Sequence, residues 1–110
     1  MKLPNADRAR VDIEKLTNYT LNPTHPRGRH KARVFRAALG FDLTDAPLLS
    51  ALMLTAARTG DATHVSTDEF GERYVIDTPY QGVSKKVTIR SAWIVRTEET
   101  FARFIGCHIR

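Results

Sequence analysis

One cysteine, Cys107, is all the thiol chemistry this 110-residue chain possesses. A single thiol excludes an internal disulfide framework and leaves a thiolate-built zinc site without ligands. The chain contains no HExxH pair, no CxxC, no glycine-rich phosphate loop and no GxSxG elbow. Its four histidines are scattered without metal-ligand spacing, so no metal and no organic cofactor is expected. No run approaches the roughly 18 apolar residues that a membrane span needs. The stretch "MKLPNADRAR" has no apolar core of the kind a secretory signal carries, so no membrane partner is expected. Aromatic residues make up only 8% of the chain, and surface for stacking bases is thin beyond Phe70, Tyr74 and Tyr80. Acids are the scarcer charge, 12 Asp and Glu against 17 Lys and Arg. Asp68, Glu69 and Glu72 gather in a turn and read as solvated, which argues against a paired-carboxylate hydrolase.

What is present suits one domain over residues 1–110. Hydrophobic residues make up 42% of the chain, with one Trp and five Phe, enough for a single core. Asp12 can cap a short helix in "VDIEKLTNYTL". Pro23 and Pro26 then hold an extended connection, and Gly28 allows close approach to another group. A second helix is predicted from about Arg29 to Leu39 with Gly40 as its C-cap, its buried stripe being Val34, Phe35 and Ala38. A third follows in "TDAPLLSALMLTAARTG", capped by Thr44 or Asp45. Its stripe is Leu48, Leu49, Leu52, Met53 and Ala56, and it ends at Gly60.

From residue 61 the period changes. "ATHVSTDEF", "RYVIDTPY", "KKVTIRSAWIVRT" and "FARFIGCHI" read as strands joined by short connections, hence an antiparallel meander. Helices over about 12–59 and a sheet over about 61–110 make an α+β fold, with the helices packed on one face of a four-stranded sheet. In the third strand Val87, Ile89, Ser91, Trp93 and Val95 should meet the helices, leaving Lys86, Thr88 and Arg90 on the open face. The last strand is ambiguous, because Arg103 spoils one alternation and Phe104 the other.

The unusual stretch is "NPTHPRGRHKARVF". No acid lies between Glu14 and Asp42, yet Lys15, Arg27, Arg29, Lys31, Arg33 and Arg36 do. His30 and Lys31 precede Val34 and Phe35 by helical spacing, so they extend the apolar face at its N-terminal end. A helix N-terminus seats phosphate, a histidine there can move a proton, and a lysine can neutralise developing charge. Each residue alone has an ordinary reading: His25 as a turn residue, Lys31 lying along Phe35, Arg33 and Arg36 as a solvated face. Ser91 alone is a small core residue beside Trp93, and His64 has no further case. Together, His30, Lys31, Thr88, Arg90 and His108 match the groups of metal-free phosphodiester cleavage. Arg27, Arg29, Ser91 and Lys86 stand as candidate substrate-binding residues.

The blocks "KLPNAD" at 2–7, "LNPTHPRGRHKARVF" at 21–35 and "IRSAWIV" at 89–95 resemble a family of small bacterial domains of unknown function that share an "LNPxHPxGRHKAxxF" block. The layout is also similar to the barnase–EndoU–colicin–RelE group of metal-independent ribonuclease toxins. That resemblance implies His30 as a catalytic residue with Lys31 beside it. It places Arg90 and Thr88 along the scissile phosphate and makes His108 a second acid or base. The expectation is a metal-independent endoribonuclease toxin acting in the cytoplasm of the producing or target cell. Its partners would be an RNA substrate and a small acidic antitoxin or immunity protein. The alternative is a non-catalytic module that binds nucleic acid or protein through the basic 27–36 patch.

Overall fold

Helices precede strands in the chain, and the computed structural model, which describes all residues Met1–Arg110, follows the change of period at residue 61. A π-helical turn, Leu16–Thr20, leads through the proline-bounded loop into α1, Arg29–Leu39. Gly40 closes α1 in the left-handed region at φ 72°, where its N–H reaches the Arg36 carbonyl; a side chain there would be strained. The long helix α2, Ala46–Thr59, follows. Asp45 stands at its N-cap, one of the two positions predicted, but its side chain does not cap α2. A 3-10 turn, Leu43–Asp45, precedes it: Asp42 Oδ1 accepts from Thr44 N–H, and Asp45 Oδ2 accepts from the Asp42 N–H, forming a capping box.

Four strands complete the chain: β1 Ala62–Asp68, β2 Gly71–Gln81, β3 Lys86–Arg96 and β4 Ala102–Ile109, in the antiparallel order β1-β2-β3-β4. One face is covered. Tyr74, Ile76, Val87, Ile89, Trp93, Ala102, Phe104 and Cys107 are buried there. They share a core with Leu16, Leu21, Phe35, Leu49, Met53, Ala56 and Ala57. An 11-residue helix is marginal on its own. Burying Phe35 completely, a contribution of about 1.5–3 kcal/mol, is what holds α1 in place. Not every predicted stripe residue joins the core. Val34 is 47% exposed and Leu48 is 46% exposed, and Ala38 is half-buried outside it, because each helix is buried over a narrower arc than its apolar residues span.

The ambiguity of the last strand has a structural cause. Trp93 pairs with Phe104, but Ala92 pairs with Gly106, so Ile105 is an extra residue in β4. This bulge reverses the alternation. Before it, Ala102 and Phe104 face the core; after it, Cys107 does, and His108 turns to the open face. Neither simple alternation describes the strand. The N-terminal segment covers part of the β4 edge, where Arg10 N–H bonds the Ala102 carbonyl and Phe104 N–H bonds the Arg10 carbonyl. That pairing satisfies backbone groups that a free edge would expose.

Ser91 is the main correction to the residues named from sequence. It is fully buried, accepts a 2.9 Å bond from Trp93 Nε1 and donates to the Ile76 carbonyl at 3.4 Å. It serves the core and is out of reach of any substrate. Ser91→Ala would leave the buried indole N–H without an acceptor. The expected cost is about 1–3 kcal/mol, read as a lower denaturant midpoint at unchanged m-value.

Candidate active site on the open sheet face

The loop before α1 is organised by His25. Its Nδ1 accepts the N–H groups of Arg27 at 3.0 Å and Gly28 at 2.9 Å. The His25 ring meets Tyr19 edge-on with centroids 4.9 Å apart. Gly28 is required by proximity: a Cβ there would stand 2.2 Å from the Tyr19 carbonyl oxygen. The close approach brings α1 against the π-helical turn, and Lys31 Nζ lies 5.4 Å from the centre of the Tyr19 ring. No side chain caps the N-terminus of α1. His30 and Lys31 therefore stand at a helix end with a positive dipole.

The sheet supplies the opposing groups. Register places Asp77, Arg90 and His108 in one row across β2, β3 and β4. Asp77 holds Arg90 through two bonds, Nε at 2.8 Å and Nη2 at 2.9 Å, and also takes Arg110 Nη1 at 2.7 Å. These partners, the Arg90 hydrogen bond foremost, hold the Asp77 carboxyl below its ordinary range, and the hydrogen bond to Asp77 in turn raises the Arg90 guanidinium. His108 lies beside two arginines and Lys31. Partial burial first, then the charges of Lys31, Arg90 and Arg110, lower its pKa below 6.5, while Asp77 opposes them. Next to it in sequence, the buried Cys107 thiol is pushed up to about 12 and is inert as a nucleophile near neutrality.

Helix and sheet meet at one concave place. His30, Lys31, Val34, Phe35, His108 and Ile109 line a cavity of about 210 Å³. Lys31 and His108 also line its neighbour of about 420 Å³, with Lys15, Tyr19, Ala92 and Gly106. Three residues named from sequence, His30, Lys31 and His108, are thus brought together from positions 30, 31 and 108, and Arg90 stands next to His108 in the row. Thr88 lies one row further along β3, its carbonyl accepting the Arg110 N–H at 2.9 Å. The exposed Val34 now has a place, as an apolar wall of this cavity.

Other candidates fall elsewhere. Arg29 bonds the Pro26 carbonyl at 2.7 Å and lines a separate cavity with Arg33, Arg36 and Asp42. Arg27 is exposed on the loop, and Lys86 is exposed at the far end of β3 opposite Gln81. None of the three lines the cavities around His30 and His108. Sequence reasoning missed Asp77, which pairs with Arg90 only through a register that no local pattern encodes, and Tyr19. No three His, Cys, Asp or Glu side chains gather in a way that would hold a metal ion. No single helix is long and apolar enough to cross a membrane.

These features define a small α+β domain with two histidines and a lysine gathered beside a basic open sheet face. The chain belongs to DUF6883, a domain family of unknown function whose profile matches residues 2–110. No curated protein matches it. Among solved structures, it is similar to a chain of the contact-dependent growth inhibition toxin–immunity protein complex from Klebsiella pneumoniae 342. The identity is 18%, 96% of each chain is covered and the TM-score is 0.66. At that identity the likeness shows a shared fold.

The row on the sheet makes a titration prediction. His108 should titrate below 6.5 by NMR. Lys31→Met removes a cation and should raise its pKa, whereas Asp77→Asn removes the only opposing anion and should lower it. A depressed histidine binds its proton more weakly folded than unfolded. Stability should therefore decline as pH falls from about 6.5 towards the folded value.

Proposed function

We propose that this domain is a toxin that cleaves RNA without a metal ion. The observation that carries the reading is the convergence of His30, Lys31 and His108 on one cavity. Two imidazoles and a cation beside a groove are the equipment of phosphodiester transesterification. His108, whose proton affinity is lowered by partial burial and by the charges of Lys31, Arg90 and Arg110, is suited to take the proton of a ribose 2′-OH. The 2′-oxygen attacks phosphorus, the bond to the 5′-oxygen breaks, and His30 donates the proton that the leaving oxygen needs. The products are a 2′,3′-cyclic phosphate and a 5′-hydroxyl. Lys31 stabilises charge on the phosphorane. Arg90, bound to Asp77, adds a positioned cation beside His108, and Thr88 extends the polar row.

The structural neighbour supports a toxin-like role, since its complex contains a toxin with an immunity protein. Charge favours the effector side of such a pair for this chain: a formal +5 suits an anionic substrate, and an acidic inhibitor could cover the same face. Opposite charge would steer that inhibitor into place quickly, at a rate that falls with salt.

The test is RNA degradation in EDTA together with toxicity on induced expression. His30→Ala should abolish both while RNA affinity persists. Lys31→Met should lower kcat by roughly 10²-fold. A wild-type protein that neither degrades RNA nor harms cells would refute the enzyme and leave a binding module.

A further inference from the structure

A second cluster of cations lies on the same open face, beyond the residues so far assigned a role. Arg73, Ile94 and Arg103 form a row across β2, β3 and β4. With Arg10, Lys15 and Arg96 they surround a cavity of about 330 Å³, in which Asp12 is the one acidic lining residue. Arg73 and Arg103 are held by Asp68 and Glu99, but Arg10, Lys15 and Arg96 form no ion pair. Just beside it, Arg8, Arg10 and Arg103 crowd the Phe101 ring at 5.8, 4.6 and 5.1 Å from its centre. Glu99 is the acid set among them, paired with Arg103 and near Arg10 and Arg96, so cations outnumber acids here and a polyanion would be attracted.

This cluster is continuous with the candidate active site. Lys15 and Ile105 line both the 330 Å³ cavity and the 420 Å³ cavity. Lys31 and His108 line both the latter and the 210 Å³ cavity at His30. The shared residues set the three side by side, a run of cavities along β4 that forms a groove when followed end to end. Its floor is small where Ala92 pairs with Gly106, and a Cβ on Gly106 would meet nothing within 4 Å. Arg90 and Ile94, which mark the two rows, are four residues or about 13 Å apart along β3. A small anion cannot reach both rows, whereas an extended chain of phosphates can.

We propose that this groove binds a single-stranded nucleic acid along β4, with Arg10, Lys15 and Arg96 holding backbone phosphates remote from the phosphate at His30 and His108. A single strand fits the occupant because small residues, Ala92 and Gly106, line the middle of the run and Tyr19 stands beside them, where a base can lie against a ring. The inference rests on the ribonuclease reading only for which phosphate is cut, not for where the strand lies.

The experiment separates the two. Binding of a fluorescent single-stranded oligodeoxynucleotide, which has no 2′-OH and cannot be cleaved by this route, is followed by anisotropy over a range of salt. The triple variant Arg10→Gln/Lys15→Gln/Arg96→Gln changes only exposed side chains. It should weaken binding at least tenfold at low salt and reduce the log–log salt slope by about 2, three phosphate contacts at roughly 0.7 each. Gly106→Leu, which fills the floor, should also weaken binding with its melting temperature preserved. Arg33→Gln/Arg36→Gln/Arg58→Gln removes the same charge from surfaces outside the groove and should leave the slope nearly intact. Equal losses in both triple variants would overturn the proposal, as would an unchanged slope in the first. Binding of polyglutamate in preference to the oligonucleotide would also overturn it and make an acidic polypeptide the occupant. If the wild type binds the oligonucleotide through these residues yet never cleaves RNA, the catalytic reading falls and the groove stands.

Discussion

The extra residue in β4 is the constraint on which the site depends. Phe104 must face inward to pack edge-on against Trp93, their centroids 5.4 Å apart, and Cys107 must face inward opposite Ser91. Those residues are three apart, so strict alternation could bury only one of them. The bulge at Ile105 buries both. Its consequence is that His108, which would otherwise follow Phe104 into the core, stands on the open face beside Arg90. Bulges often re-aim a side chain next to a functional site, and here core packing and site geometry are settled by the same residue.

Electrostatics on the open face is organised around few acids. Asp77 is shared by Arg90 and Arg110, so that row stays net positive even when its ion pairs are formed. Asp68 and Glu99 each hold one arginine, Arg73 and Arg103, and neutralise it, so the positive charge at that second row comes from the unpaired cations around it. The free cations Arg10, Lys15 and Lys31 then lie along the groove between two anchored rows. Such partly exposed pairs contribute little to stability; their effect is to fix where positive charge is presented.

The fold shared with a chain of the Klebsiella toxin–immunity complex at 18% identity fits this division of labour. The covered face carries the packing demands of an antiparallel meander, which many sequences satisfy. The open face is free to vary, so function belongs to the residues set on it rather than to the fold.

Much of this was legible in the chain. Helix α1 and its Gly40 cap, α2, the meander and the two faces of β3 rest on periodicity and short connections, which are local and survive in any context. Local features of "NPTHPRGRHKARVF" were also legible: Gly28 does make a close approach, and His30 and Lys31 line one cavity with His108. Arg27 and Arg29, chosen for charge alone, fell outside it, and Ser91, chosen for its hydroxyl, was taken by the core. What tertiary structure alone decided was non-local: which strand carries an extra residue, which carboxylate meets which arginine, and how His108 comes to stand with Lys31 from the far end of the chain. Cross-strand register sets all three. It is chosen by packing the whole core at once, and no single segment carries that information.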